Sequence, residues 1–155
     1  DSYVFKFIDL HPSVDAASLV FQADTGTNTN YNLTMTTTMF RAYHNENDAD
    51  SGLGYITGED QAQGTSFQKL IHGSAIGNDN DQSLSGEMLM FNPSSSTFVK
   101  HFIAKVSNYH HGDYEKNTHT AGYYNTTSDV DAIKFFMSSG NIDSGTIKLY
   151  GIKDS

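Results

Sequence analysis

The chain has 155 residues and a formal net charge of −9, and its nine Lys and Arg residues are scattered rather than clustered. Because a phosphate backbone is bound by a concentrated positive face, these values argue against nucleic acid as a partner, and no apolar run reaches the roughly 18 residues of a membrane span. The length predicts one domain over residues 1–155, and the lack of cysteine excludes disulfides and thiolate metal sites.

Alternating apolar residues predict two strands near the start of the chain. The first covers residues 3–10 and ends at His11-Pro12, because Pro lacks the N–H that a strand ladder needs. The second covers residues 17–23, and a loop dense in turn residues follows over residues 24–30. The side chains expected to face inward are Tyr3, Phe5, Phe7, Leu19 and Phe21.

The longest predicted strand covers residues 31–43, where Tyr, Leu, Met and Thr side chains alternate with Asn and Thr. Its Thr run favours a strand over a helix, because branching at Cβ restricts χ1, and the alternation indicates one buried and one exposed face. Residues 44–64 form the longest irregular region, with a short strand around Leu53, Tyr55 and Ile56. A loop of this length inside a compact domain is uncommon and is often functional.

The middle of the chain predicts shorter elements separated by polar loops. A hairpin is expected from residues 84–91 and 97–107, which flank the turn residues Asn92-Pro93-Ser94. A second polar loop is expected over residues 109–117. The remaining elements expected here are a strand at residues 65–71, a loop at 73–83 and a short strand at 119–125.

The last two predicted strands close the fold. Residues 130–137 and 142–152 each alternate apolar side chains, and residues 138–141 between them have turn chemistry, so we expect a closing hairpin. Its inward side chains are expected to be Ile133, Phe135, Met137, Ile147 and Leu149. Eight or nine short strands without a convincing helix predict an all-β fold, an antiparallel two-sheet β-sandwich that is jelly-roll-like.

The histidines and the acidic loops do not have the spacing of a metal site. The adjacent residues His110 and His111 would point to opposite faces of a strand, so their rings would not converge on one ion. The acidic runs at residues 45–52 and 78–81 offer oxygen ligands, but neither matches the spacing of calcium-binding loops. We therefore expect solvated loops, with no metal and no cofactor.

The sequence has no recognisable catalytic motif. It lacks G-x-S-x-G, a Cys nucleophile and H-E-x-x-H, and the glycines of residues 52–58 have the wrong spacing for a dinucleotide loop. The adjacent carboxylates Glu59 and Asp60 could in principle serve glycoside hydrolysis, but such a pair is ordinary in a polar loop. We therefore expect a protein that is not an enzyme and assign no catalytic residue.

Several tyrosines and histidines lie in or beside the predicted loops, while charged residues make up only 17% of the chain. Neutral polar surfaces rich in Tyr and Thr are common in extracellular and virion β-proteins, and Tyr rings stack on sugars or fill subunit interfaces. Most of these tyrosines also fit the simpler interpretation of ordinary half-buried side chains. The candidate contact residues are Tyr43, His44, Tyr55, Tyr109, His110 and Tyr114.

Both ends of the chain resemble a known family. The closing SSGNIDSGTIKLYGI pattern of residues 138–152 resembles a C-terminal pattern in virion proteins of marine tailed phages and other aquatic viruses. The opening residues 3–13, followed by residues 17–22, look like the first strand pair of such domains. The resemblance implies a jelly-roll sandwich that serves as a capsid decoration protein, a fibre or spike head, or a tail-associated binding domain, often as a trimer and without catalytic residues.

The resulting expectation is a structural module in the virion, an extracellular particle. It would bind other capsid or tail proteins through apolar and Tyr-rich surface, as a homo-oligomer with a trimer favoured. An alternative is a receptor- or glycan-binding head of a tail fibre, with residues 44–64 and 109–117 contacting a host surface glycan or receptor. A secreted carbohydrate-binding or hydrolytic domain is a third interpretation.

Overall fold

The computed structural model describes residues 1–153, which contain ten β-strands and no helix. Among these residues, then, no helix has the length and hydropathy that a membrane-crossing segment requires. The strands are β1 (Ser2–Pro12), β2 (Leu19–Asp24), β3 (Met35–Asn45), β4 (Ser51–Tyr55), β5 (Gln68–Lys69), β6 (Leu84–Phe91), β7 (Lys100–His110), β8 (Tyr114–Tyr124), β9 (Ala132–Met137) and β10 (Ile142–Ile152).

The strands form two antiparallel sheets that face each other. The larger has seven strands in the order β10-β1-β6-β7-β8-β3-β4, and the smaller has three in the order β5-β2-β9. The pairings β1 with β10, β2 with β9 and β3 with β8 are nested along the sequence. The first half of the chain therefore pairs antiparallel with the second half, in both sheets. The predicted all-β sandwich is confirmed, with ten strands instead of eight or nine.

An apolar cluster fills the space between the two sheets. The Phe135 ring of β9 lies 5.2 Å from the rings of both Phe5 and Phe7 of β1. Phe21 of β2 meets Phe102 of β7 edge-on, also with 5.2 Å between ring centroids. The predicted inward residues that are buried are Phe5, Phe7, Leu19, Phe21 and Met137, while Tyr3, Ile133 and Phe135 are partly buried against the same cluster.

The predicted closing hairpin is wrong. β9 pairs with β2 in the smaller sheet and β10 pairs with β1 in the larger one, so residues 138–141 cross between the layers. The crossing is anchored by Ser13, whose N–H donates to the Asn141 carbonyl and whose Oγ accepts from the Asn141 N–H, both at 2.9 Å. The expected first strand pair fails in the same way, because β1 and β2 also lie in different sheets.

The predicted burial of Ile147 and Leu149 is also wrong, although both share the predicted face. They lie opposite Phe7 and Phe5 of β1, on the side of the larger sheet that faces the smaller one. Both side chains are exposed, because β10 is the edge of a seven-stranded layer and the three-stranded layer above it ends at β9.

Several predicted boundaries differ from the observed ones. The predicted polar loop at residues 109–117 is wrong, since β7 continues to His110 and β8 starts at Tyr114. The alternation of buried and exposed side chains could not be recognised here, because two of the buried residues, Lys116 and Thr118, are polar. The strand expected at residues 31–43 starts only at Met35, the strand at 65–71 shrinks to β5, the strand at 119–125 is the second half of β8, and β1 runs on through Pro12.

Candidate functional site

Two hairpins lie side by side at one end of the larger sheet and bring the two predicted loop regions together. Strands β3 and β4 form one hairpin, and strands β7 and β8 form the other. His44 lies opposite Glu115, and Asn45 lies opposite Tyr114. The Glu46 N–H donates to the Asp113 carbonyl at 3.0 Å, which fixes one turn against the other.

Aromatic rings cluster where these hairpins meet. The rings of Tyr43 and Tyr114 lie 5.9 Å apart, and His110 contacts Tyr114 edge-on at 5.5 Å. The rings of His110 and His111 stack at 4.2 Å, so the expectation that they point to opposite faces is wrong, because the strand ends at His110. Five predicted contact residues therefore lie at this end of the sheet: Tyr43, His110 and Tyr114 form the aromatic cluster on its inner face, and His44 and Tyr109 lie on its outer face.

Tyr55 does not belong to this group. It ends β4 and lies opposite Phe40, away from the turn that joins β3 to β4. Its hydroxyl donates to the Asp60 carboxylate, and that hydrogen bond raises the pKa of Tyr55. The sequence placed Tyr55 in one long loop with His44, but the β3–β4 hairpin separates the two residues along the sheet.

Carboxylates of the β3–β4 turn lie beside the polar atoms of the Tyr and His side chains at this end of the sheet. Asp50 accepts a hydrogen bond from the Tyr43 hydroxyl at 3.2 Å, and Asp48 lies 2.9 Å from the exposed His44 ring. A hydrogen bond to the Glu46 carboxylate raises the pKa of Tyr109 to about 12. The tyrosines at this end of the sheet therefore present their rings beside acidic groups.

The His110 ring is partly buried at the base of the cluster. Burial, together with the nearby Lys116, His111 and Arg41, lowers the pKa of His110 to about 4. Its Nδ1 accepts a hydrogen bond from the Gly112 N–H at 2.9 Å. The neutral ring therefore has a structural part in holding the turn of the β7–β8 hairpin.

The acidic turn between β3 and β4 is organised by one side chain. The Asn45 Oδ1 accepts hydrogen bonds from the N–H groups of Ala49 and Asp50, both at 2.9 Å. This bonding closes the turn on itself and leaves its carboxylates on the outside. In residues 1–153 no group of three or more His, Cys, Asp or Glu side chains is arranged to hold a metal ion.

Sequence reasoning missed the cationic residues beneath the cluster. The guanidinium of Arg41 lies 4.2 Å from the centre of the Tyr43 ring, and both side chains are on the inner face of β3. Lys116 lies directly opposite Tyr43 and is buried. A signal was present in the period-two spacing of Lys116, Thr118 and Thr120, but the polar composition led to the prediction of a loop.

This end of the sheet offers tyrosine rings, acidic groups and a neutral histidine, which suit stacking and hydrogen bonding. Comparisons of the chain with protein-family models, with curated proteins and with solved structures found no match.

Proposed function

We propose that this protein is a non-enzymatic structural module of a virion, a capsid decoration or fibre-associated protein that acts by association with other protein chains. The observation that carries this proposal is the state of β10. It is an eleven-residue edge strand with apolar side chains on both faces, interrupted on the outer face by Thr146 and Lys148, and all its residues after Ile142 are exposed.

The exposed side chains of β10 form an unusual edge. Ile147 and Leu149 on the inner face are 38% and 58% exposed, and Tyr150 and Ile152 on the outer face are 50% and 49% exposed. Its outward backbone groups have no neighbouring strand. Proteins usually protect such an edge with charges, Pro or short length, because an open apolar strand pairs readily with another chain.

A groove beside β10 provides the anchor for a partner. It has a volume of about 360 Å³ and lies between Leu149 of β10 and Ile133 of β9. Its other apolar walls are Tyr3, Phe5, Met90 and Val130. Because β9 is itself an edge strand, an added strand could pair with β9 and cover Ile147 and Leu149 at once.

The resemblance supports the virion as the setting. The pattern shared with virion proteins of marine tailed phages ends in residues 144–152, which form most of β10. The segment that suggested the family therefore also carries four of the exposed large hydrophobic side chains, Ile147, Leu149, Tyr150 and Ile152. Self-association through this edge, with a trimer favoured, matches how such domains assemble.

The test is a double substitution on the inner face of β10. Ile147→Lys together with Leu149→Lys should convert an associating protein into a monomer and leave the far-ultraviolet circular dichroism unchanged. The control is Phe98→Lys, because Phe98 is 68% exposed but lies outside both strands that border the groove. Sedimentation velocity over a range of concentrations gives the mass, which should be three times the chain mass for a trimer.

Two results would overturn this proposal. One is a wild-type chain that stays monomeric at every concentration and does not bind expanded capsids. The other is a double variant that associates as the wild type does. Stoichiometric binding to capsids without binding to cells would support the decoration role.

The aromatic cluster favours a second candidate function, a glycan- or receptor-binding head. Tyr43→Ala and Tyr114→Ala, which remove the two tyrosine rings that meet in the cluster, should then abolish binding to host cells or to a glycan array. Tyr55→Ala is the matched control, because Tyr55 is exposed but lies outside the cluster. Equal loss in all three variants, or no binding by the wild type, would exclude this candidate.

A further inference from the structure

A polar site lies inside the sandwich, beneath the aromatic cluster. On the inner face of the larger sheet, Lys116 lies opposite Asn108 of β7, and Thr118 lies opposite Arg41 of β3. Thr120 follows on the same face of β8. Facing positions on neighbouring strands have Cβ atoms about 5 Å apart and diagonal positions about 7 Å apart, so Lys116 and Thr118 each lie next to Arg41 on one side and Asn108 on the other, while Thr120 lies one level further along β8.

The site is buried and its polar atoms lack partners. Lys116 is 8% exposed, and Asn108, Thr118 and Thr120 are at most 1% exposed. Eight buried side-chain atoms in the described part of the chain make no hydrogen bond, and six of them belong to this region. They are Arg41 Nε, His72 Nδ1, both amide atoms of Asn108, Thr118 Oγ1 and Thr120 Oγ1.

The charges of the site are not balanced. Burial and the neighbouring Arg41 lower the pKa of Lys116 to about 8, and no carboxylate offsets them. Two carboxylates act electrostatically on the histidines of this region, Glu59 on His72 and Asp15 on His110. Glu59 already accepts from Lys69 Nζ at 2.9 Å and from the Gly73 N–H, so it is not free to neutralise Arg41 or Lys116.

We propose that this site binds a small tetrahedral oxyanion, of the phosphate or sulfate type, between Arg41 and Lys116. The guanidinium and the ammonium supply the charge, and Asn108 Nδ2 and the hydroxyl group of Thr118 supply neutral donors. Burial and the neighbouring Arg41 both disfavour the charged form of Lys116, and Arg41 Nε is buried without a partner, so an anion held between the two side chains offsets both costs.

The spacing of the donors favours an oxyanion over a halide. Residues two apart on one face of a strand are separated by about 6.7 Å, so Lys116, Thr118 and Thr120 form three successive levels. A single-atom anion contacts one level at a time, whereas the oxygens of a tetrahedral anion extend toward two. Arg41 adds a planar fork that suits an oxyanion with two acceptor atoms.

The site has a side through which an ion can enter. Arg41 and His72 are only partly buried, and Arg41 lies beside the edge strand β4, opposite Gly54. The Arg41 side chain rests on the Tyr43 ring, which holds the guanidinium toward the interior.

The experiment measures thermal unfolding of the whole chain in sodium phosphate, sodium sulfate and sodium chloride at matched ionic strength. In the wild type, phosphate or sulfate should raise the midpoint with a saturating dependence, by roughly 5–10 °C at a hundredfold excess over the dissociation constant. Isothermal titration calorimetry with phosphate should give one site per chain.

Three variants decide the result. Lys116→Met should abolish the phosphate-dependent rise, Thr118→Val should weaken phosphate binding several-fold, and Lys105→Met on the outer face of β7 should behave as the wild type. The readout is the anion dependence, so a change in basal midpoint does not affect it. Equal shifts in phosphate and chloride, or a phosphate shift that persists in Lys116→Met, would show that water fills the site and would overturn the proposal.

Discussion

At the scale of single residues, Gly145 is required by the bulge that lets β1 and β10 stay paired. The ladder between these strands changes register between Ile8 and His11, where Asp9 has a φ of 50°. Gly145 has a φ of 103°, and a Cβ at that position would lie 2.4 Å from the Asp9 carbonyl oxygen. A side chain is excluded there both by the backbone conformation and by the contact.

Gly145→Ala should therefore destabilise the protein by about 2 kcal/mol. The control is Gly151→Ala on the same strand, where the nearest atom to a new Cβ is on Tyr3 at 3.8 Å. That variant should change the free energy of unfolding by less than about 0.5 kcal/mol. Urea denaturation of both variants measures the difference, and equal effects would show that the bulge tolerates a side chain.

At the scale of elements, β9 joins the smaller sheet to the larger through one aromatic side chain. Phe135 contacts Phe5, Phe7 and Phe21, so it spans β9, β1 and β2. Phe135→Ala should lower the free energy of unfolding by about 3 kcal/mol, while Phe98→Ala at an exposed position should cost less than about 0.5 kcal/mol. Chemical denaturation would contradict this role if the two variants had the same midpoint.

The strands themselves could be predicted from the sequence, but their partners could not. Alternation states which side chains share a face, and it correctly grouped Phe5 with Phe7 and Ile147 with Leu149. It carries no information on which sheet a strand joins, so β9 and β10 were predicted to pair when they lie in opposite layers. Burial of Ile147 depends on the width of the facing sheet, which is a property of the whole fold.

The candidate site was predictable to a similar extent. Aromatic residues beside turns were recognised, and the hairpins bring Tyr43, Tyr109 and Tyr114 to one end. Buried cations were not recognised, because Lys116 stands in a run of residues that are polar on both faces of β8. Polar residues that point into a sandwich give the same local pattern as a solvated loop.

At the scale of the whole molecule, the buried cations set how stability depends on pH. Burial lowers the pKa of Lys116 to about 8 and also lowers the pKa of Lys100. Between the lowered pKa in the folded state and the ordinary pKa in the unfolded state, such a lysine is protonated only in the unfolded chain. The unfolded state then binds more protons than the folded state. Stability should therefore rise as the pH increases from about 8 toward 10.

The predicted rise of stability with pH ends near pH 10. The pKa of Tyr109 is raised to about 12, so above pH 10 the unfolded chain loses this proton first and stability falls again. His72 and His110 stay neutral between pH 8 and 10, since burial lowers the pKa of both.

Lys116→Met should flatten the rise between pH 8 and 10 and leave only the smaller part due to Lys100, whereas Lys105→Met should keep it. Thermal midpoints measured at constant ionic strength without phosphate test this, and a wild-type midpoint that falls steadily from pH 8 to 10 would show that repulsion among the molecule's net negative charges outweighs the buried lysine.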